Sequence, residues 1–137
     1  MDKKISKEEL EKSDVFTPHF DDKGLVSAIA QDNNSGEVLM LAFMNEEAIE
    51  LSLKTGIVHY FSRSRQKIWK KGETSGQTQK LIEMRVDCDQ DALLLKVEQL
   101  GKGAACHTGR KSCFFRTVKG EKLIVKGKRL FNPKDVY

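Results

Sequence analysis

The residues best equipped for chemistry in this chain are its cysteines and a run of alternating aspartates. Asp87-Cys88-Asp89-Gln90-Asp91 puts three carboxylates and one thiol into five residues, and the other two cysteines follow at Cys106 and Cys113. Carboxylates offer hard oxygen donors suited to magnesium, whereas thiolates prefer a softer ion such as zinc. If the preceding run 80–86 is extended through the pentapeptide, residues at i, i+2 and i+4 share a face. Asp87, Asp89 and Asp91 then point one way and Cys88 the other, so one short segment can serve two metals. Three thiolates leave one tetrahedral position for water, the open coordination of a catalytic zinc. His107, beside Cys106, can close that site or act next to it as a base.

The same residues must be weighed against plainer roles. The carboxylates occupy positions 1, 3 and 5 of a calcium loop, with Glu98 at position 12, but Ala92 stands where that loop requires glycine. A calcium loop is therefore excluded, while a solvated acidic turn stays open. Six residues separate Cys106 from Cys113, wider than a zinc-finger pair, and buried free thiols are common. The His-x-Glu…Pro-Cys-x-x-Cys signature of the zinc nucleobase deaminases is absent.

A second group of residues is suited to phosphate. Ser62-Arg-Ser-Arg65 and Trp69-Lys-Lys-Gly-Glu-Thr-Ser-Gly76 mix cations, hydroxyls and glycines. Arginine grips phosphate with paired donors, and glycine lets backbone amides approach it. Arg63, Arg65, Lys71, Thr74, Ser75 and Gly76 are the candidates, with Trp69 placed to stack on a base. There is no Walker A or Rossmann pattern, and an ordinary polar loop is the plain alternative. His59, mid-strand, reads as a satisfied sheet histidine, and His19 as a surface residue.

Positioning these groups requires a scaffold, and its elements are visible. Ser6-Lys-Glu-Glu9 is a capping box opening a short polar helix to about Ser13, a peripheral arm. Two extended runs, 25–32 and 37–44, flank the turn cluster Asn33-Asn-Ser-Gly36 and form a hairpin. Asn45 caps a helix that Gly56 ends, with Ala48, Ile49 and Leu51 facing inward. Strands follow over 57–62 and 80–86. The stretch 63–79 between them reads as a long loop. Leu93, Leu95 and Val97 alternate with more polar neighbours and predict another strand. One more is expected over 114–118, then a basic tail over 119–137. This order predicts an α+β domain with a largely antiparallel sheet and few helices.

The bulk composition narrows the class. At 137 residues, 39% hydrophobic and 32% charged, the chain suits one soluble domain with a core. Its longest apolar run, Val38-Leu-Met-Leu-Ala-Phe-Met44, cannot span a bilayer, and the charged N-terminus lacks a signal peptide's apolar region. The expected location is the cytoplasm, without membrane attachment. A net charge of +4 suits a phosphorylated small molecule better than nucleic acid, whose binders are usually more basic. A zinc-stabilised nucleic-acid module remains as an alternative. A thiol redox protein is disfavoured because no Cys-x-x-Cys occurs.

Taken in order, the segments resemble phosphoribosyl-AMP cyclohydrolase, a ring-opening hydrolase of histidine biosynthesis. The resemblance runs from about residue 25 to 118. It is carried by Ala30-Gln-Asp32, Gly36-Glu-Val-Leu-Met-Leu-Ala-Phe-Met-Asn45, Tyr60-Phe-Ser-Arg-Ser-Arg65, Trp69 to Gly76, the acidic pentapeptide, and Cys106-His-Thr-Gly109 with Cys113. It implies one zinc per subunit on Cys88, Cys106 and Cys113, and magnesium on Asp87, Asp89 and Asp91. It also implies an intertwined homodimer whose subunits share zinc ligands. The domain plan expected is an arm over 1–24, the catalytic domain over 25–118 and the tail over 119–137. Many relatives carry a fused pyrophosphohydrolase domain after this point, which the 19 residues of the tail could not hold, so a separate enzyme is expected for the preceding step.

Overall fold

In a computed structural model of the chain, residues 6–135 are described. Strands β1 (Val26–Asp32) and β2 (Val38–Met44) form the expected antiparallel hairpin, with Ala28 opposite Ala42. Its turn is tied by Asp32, whose carboxylate accepts from the Ser35 hydroxyl at 2.6 Å. Helix α2 (Glu46–Thr55) follows at once. Asn45 Oδ1 accepts from the Ala48 amide at 2.8 Å, and Gly56 ends the helix in the left-handed region at φ 77°. This is the cap pairing the sequence dictates.

The inward face of α2 differs from the expected one in one residue. Ala48, Ile49 and Ser52 are buried, while Leu51 is only half-buried. Ser52 tolerates burial because its hydroxyl donates to the Ala48 carbonyl and accepts from the His59 amide, both at 2.8 Å. That bond docks α2 on β3 (His59–Ser62).

Strands β5 (Gln79–Val86) and β6 (Ala92–Gln99) make a second antiparallel hairpin. The two hairpins join in one sheet of order β2-β1-β6-β5, and the central β1–β6 pair is parallel, Ser27 opposite Ala92. Every other strand pairing is antiparallel among the described residues, so the α+β class holds. The core lies where β1, β2 and β6 pack against α2 and β3. Leu39, Met44, Val58, Leu93, Leu95 and Val97 are buried there. Leu93, Leu95 and Val97 are the alternating positions the sequence marks.

Three expectations need correction. The stretch 63–79 is not all loop: Lys67–Lys70 forms β4, paired with β3 so that Tyr60 opposes Trp69. Its short Lys-Ile-Trp-Lys alternation is masked by the polar residues around it. The pentapeptide 87–91 is a turn between β5 and β6, not an extension of β5. The strand expected over 114–118 starts later, as β7 (Arg116–Lys119), and hairpins with β8 (Lys122–Val125) inside the basic tail. Helix α1 (Lys7–Lys12) is the expected arm, with Ser6 accepting from the Glu9 amide at 3.1 Å. No helix among the described residues is long and apolar enough to cross a membrane.

Candidate metal and substrate site

The loop carrying Cys106 and Cys113 folds back on itself. The Ala105 and Cys106 amides donate to the Lys111 and Arg110 carbonyls at 3.0 and 3.1 Å. Gly109, at φ 87°, turns beneath Phe131, and a Cβ there would collide with the Phe131 carbonyl. The far limb docks on β2. The Cys113 amide donates to the Leu39 carbonyl at 2.7 Å, and the Ser112 hydroxyl to the Val38 carbonyl at 2.7 Å.

This fold brings the two sulfurs together. The Thr108 hydroxyl donates to Cys106 Sγ at 3.0 Å. Part of Cys113 is open to solvent, yet its sulfur is crowded by protein. Burial first, then the neighbouring Cys106, push that thiol up to about 12, against the pull of Lys71. Left alone, the Cys113 thiol stays protonated. A soft dication would favour two thiolates there, so this donor set suits zinc.

Lys71 lies beneath the pair. It is 7% exposed, and its Nζ donates to the Ala105 carbonyl at 2.6 Å. Burial lowers the ammonium below the usual lysine range, with Cys113 and Cys106 opposing that shift. Its first task is therefore to tie β4's end to the cysteine loop. Behind it Trp69 packs on Tyr60, ring centroids 5.2 Å apart. Tyr60 donates to Gln79 Oε1 at 2.6 Å, and burial raises its hydroxyl so that it stays neutral. Gln79 passes the chain on to Gln99 at 2.9 Å. Sequence reasoning misses this buried network. Tyr60 and Gln79 fall in strands of separate sheets, and only the fold shows that they meet.

Above these residues opens a cavity of about 280 Å³, lined in part by Arg65, Trp69, Lys71, Thr74, Ser75, His107 and Cys113. Most of the residues chosen for phosphate and catalysis thus converge. Gly72, at φ 82°, lets the 72–77 turn close, since a Cβ would meet the Gln77 and Thr78 backbone. Met40 and Ala105 add apolar wall. Arg63 and Gly76 are not in the lining. The Arg63 guanidinium instead sits 3.9 Å from the centroid of the Phe43 ring.

The carboxylates form a separate centre. Asp87, Asp89 and Asp91 offer oxygens within 4.8 Å of one another, the one such three-ligand group among the described residues. The turn gathers them without an extended strand. Asp87 Oδ1 accepts from the Asp91 and Ala92 amides at 2.9 and 3.1 Å, and Gln90 takes φ 59°. Hydrogen bonding to Asp87, then to Asp89, pushes Asp91 up to about 6, with burial and like charge adding. The bond from Asp91, followed by that with Asp87, holds Asp89 below the usual carboxylate range. Carboxylates this close, sharing protons, suit a hard dication.

Cys88 belongs to this turn and is exposed. It does not join Cys106 and Cys113 in a three-ligand group. The register explains the gap. Cys113 docks on Leu39, next to Met40, which opposes Ala30 and through it Leu95, whereas Cys88 lies before Ala92 at the start of β6.

Known proteins resemble this chain over most of its length. The family model described as phosphoribosyl-AMP cyclohydrolase matches residues 40–115. A protein of Methanococcoides burtonii with that name is 57% identical over 124 residues, covering 90% of this chain and 98% of its own length. One from Rhizobium etli is 56% identical, covering 96% and 91%, and one from Desulfatibacillum aliphaticivorans is 61% identical, covering 83% and 90%. The matched span of the family model runs from the cavity wall at Met40 past Cys113, and the chain belongs to the phosphoribosyl-AMP cyclohydrolase family.

Proposed function

We propose that this protein hydrolyses the N1–C6 bond of the adenine ring in 1-(5-phosphoribosyl)-AMP, giving the formimino-carboxamide ribotide of histidine biosynthesis, in the cytoplasm. The observation that carries this reading is the convergence of Cys113, itself paired with Cys106, with His107 and a cationic, hydroxyl-bearing turn on one cavity, in a chain of this family.

Attachment of a phosphoribosyl group at N1 leaves the ring electron-poor, so C6 is the electrophile. Trp69, backed by Tyr60, provides an aromatic wall for the purine. Arg65, with the Thr74 and Ser75 hydroxyls, holds phosphate. Lys71, with donors beyond the one on Ala105, adds positive charge at the floor. His107 takes the proton of the attacking water as its oxygen adds to C6. N1 leaves with the electron pair of the broken bond and gains a proton. Zinc, held by Cys106, Cys113 and a third thiol, supplies when bound the Lewis acidity that makes water nucleophilic near neutral pH. Magnesium on Asp87, Asp89 and Asp91 supplies charge that offsets phosphate.

The third thiol is Cys88 of the partner subunit, in a homodimer. Support for this comes from the separation of Cys88 from the other two thiols within one chain. The apolar surface of β7–β8, where Val118 is 72% and Leu123 53% exposed, also supports association. Since Cys88 lies between Asp87 and Asp89, the turn that delivers it carries the carboxylates with it.

The test is an ultraviolet assay with phosphoribosyl-AMP, using purified protein with zinc and magnesium. A spectral change that chelation abolishes and the two ions restore is the expected result. No change with folded, zinc-loaded protein overturns the reading.

A further inference from the structure

The acidic turn does not stand alone; it is gripped by the N-terminal arm, and the grip passes through Gln90. Gln90 is 4% exposed in a turn whose neighbours are largely open. Its Oε1 accepts from the Thr17 amide at 2.7 Å. Its Nε2 faces the Leu10 and Val15 carbonyls at 3.3 and 3.4 Å. Its own carbonyl accepts from the His19 amide at 2.6 Å. Leu10, at 4% exposed, is the one buried residue of helix α1.

The need for such a grip follows from the chemistry. Three carboxylates held within 4.8 Å repel one another when ionised, and a short exposed turn would relieve this by splaying. Gln90 also takes φ 59°, a region that disfavours side-chain-bearing residues. An amide side chain can both accept from and donate to the arm's backbone without adding a fourth charge. We infer that Gln90 is a positioning residue, through which the arm spanning Leu10 to His19 fixes the acidic turn for a divalent cation.

This inference rests on the reading of Asp87, Asp89 and Asp91 as a magnesium site, and the experiment separates the two. Mn²⁺ binding to the full-length protein is measured by electron paramagnetic resonance for the unaltered chain, Gln90→Leu and Leu10→Ala. Gln90→Leu keeps volume and loses the bonds; Leu10→Ala unseats the arm without touching the turn. Both should weaken Mn²⁺ binding, Gln90→Leu by about tenfold, the scale typical of groups that orient ligands. The magnesium concentration for half-maximal turnover should rise in parallel, with the maximal rate recovered at saturation. A general loss of structure would not recover in this way. If Gln90→Leu does not fold, Leu10→Ala carries the comparison. Unaltered Mn²⁺ affinity in the folded variants overturns the inference alone. No Mn²⁺ binding by the unaltered protein overturns the magnesium reading and this inference with it.

Discussion

Lys71 Nζ and the Ala105 carbonyl meet at 2.6 Å inside the protein, joining the end of the β3–β4 hairpin to the loop that carries two cysteines. Removing the donor leaves the carbonyl buried without its partner. Lys71→Met, which keeps much of the side-chain volume, should lower stability by about 1–3 kcal/mol. A denaturant midpoint equal to that of the unaltered protein would show that water replaces the lysine without loss.

The proposed sharing of zinc ligands between two subunits can be decided by complementation. Cys88→Ser and Cys106→Ser should each be inactive alone and lose zinc. Mixed and re-associated, half of the dimers carry both variants, and one of their two sites keeps all three thiols. About a quarter of full activity should return. Two inactive proteins that stay inactive after verified subunit exchange would mean that the ligands do not come from two chains.

His107 lines the cavity beside the cysteine loop. His107→Ala should cut turnover about 10²–10⁴-fold, the usual range for a lost general base, while zinc content by elemental analysis is kept. Loss of zinc in the variant would make His107 a ligand instead.

Gly72 and Gly76 both adopt positive φ, yet only Gly72 has backbone atoms where a Cβ would stand. Gly72→Ala should force the 72–77 turn open and cost several-fold in substrate KM. Gly76→Ala, with open space around it, should cost about 1 kcal/mol in stability and little in KM. Equal KM values for the two variants would contradict this assignment of the turn.

The acidic turn predicts a pH signature. Asp91 titrates at about 6 in the folded protein against 3.8 ordinarily, so the folded state holds the extra proton between these values. Stability of the metal-free protein should therefore fall as pH rises from about 4 to 6. Asp89, shifted the other way, contributes stability that is lost only on acidification below its ordinary range, outside this window. A divalent cation bound at the turn would displace the proton, so the rise in melting temperature on adding magnesium should grow through pH 6. Melting curves that show the same magnesium effect at pH 5 and pH 7 would refute the link.

Much of this molecule can be read from its sequence, and the exceptions share a cause. Asn45 and Gly56 bound α2 because capping chemistry is local, and Leu93, Leu95 and Val97 mark β6 because burial follows a period of two. Residue type marks Arg65, Trp69, Thr74, Ser75 and His107 as candidates, and all five line one cavity. Arg63 is drawn aside by Phe43, a strand away on β2. The parallel pairing of β1 with β6, the Tyr60–Gln79–Gln99 network and the Gln90 clamp all join distant segments. No spacing in the sequence encodes such a meeting. An extended pentapeptide is the wrong geometry, because the Asp87 carboxylate accepts from the backbone amides of Asp91 and Ala92 and thereby bends the chain.

The parallel β1–β6 pair has a consequence for synthesis. On a ribosome, β1 and β2 emerge early and can close as a hairpin, but the inner edge of β1 must wait for β6. Until the chain through Gln99 has left the exit tunnel, the strand destined for the sheet's centre is an open apolar edge. Closure across so long a separation is slow. Vectorial folding of this enzyme is thus gated by its own sixth strand, and the nascent chain is most exposed to chaperones, or to pairing with other nascent chains, during that interval.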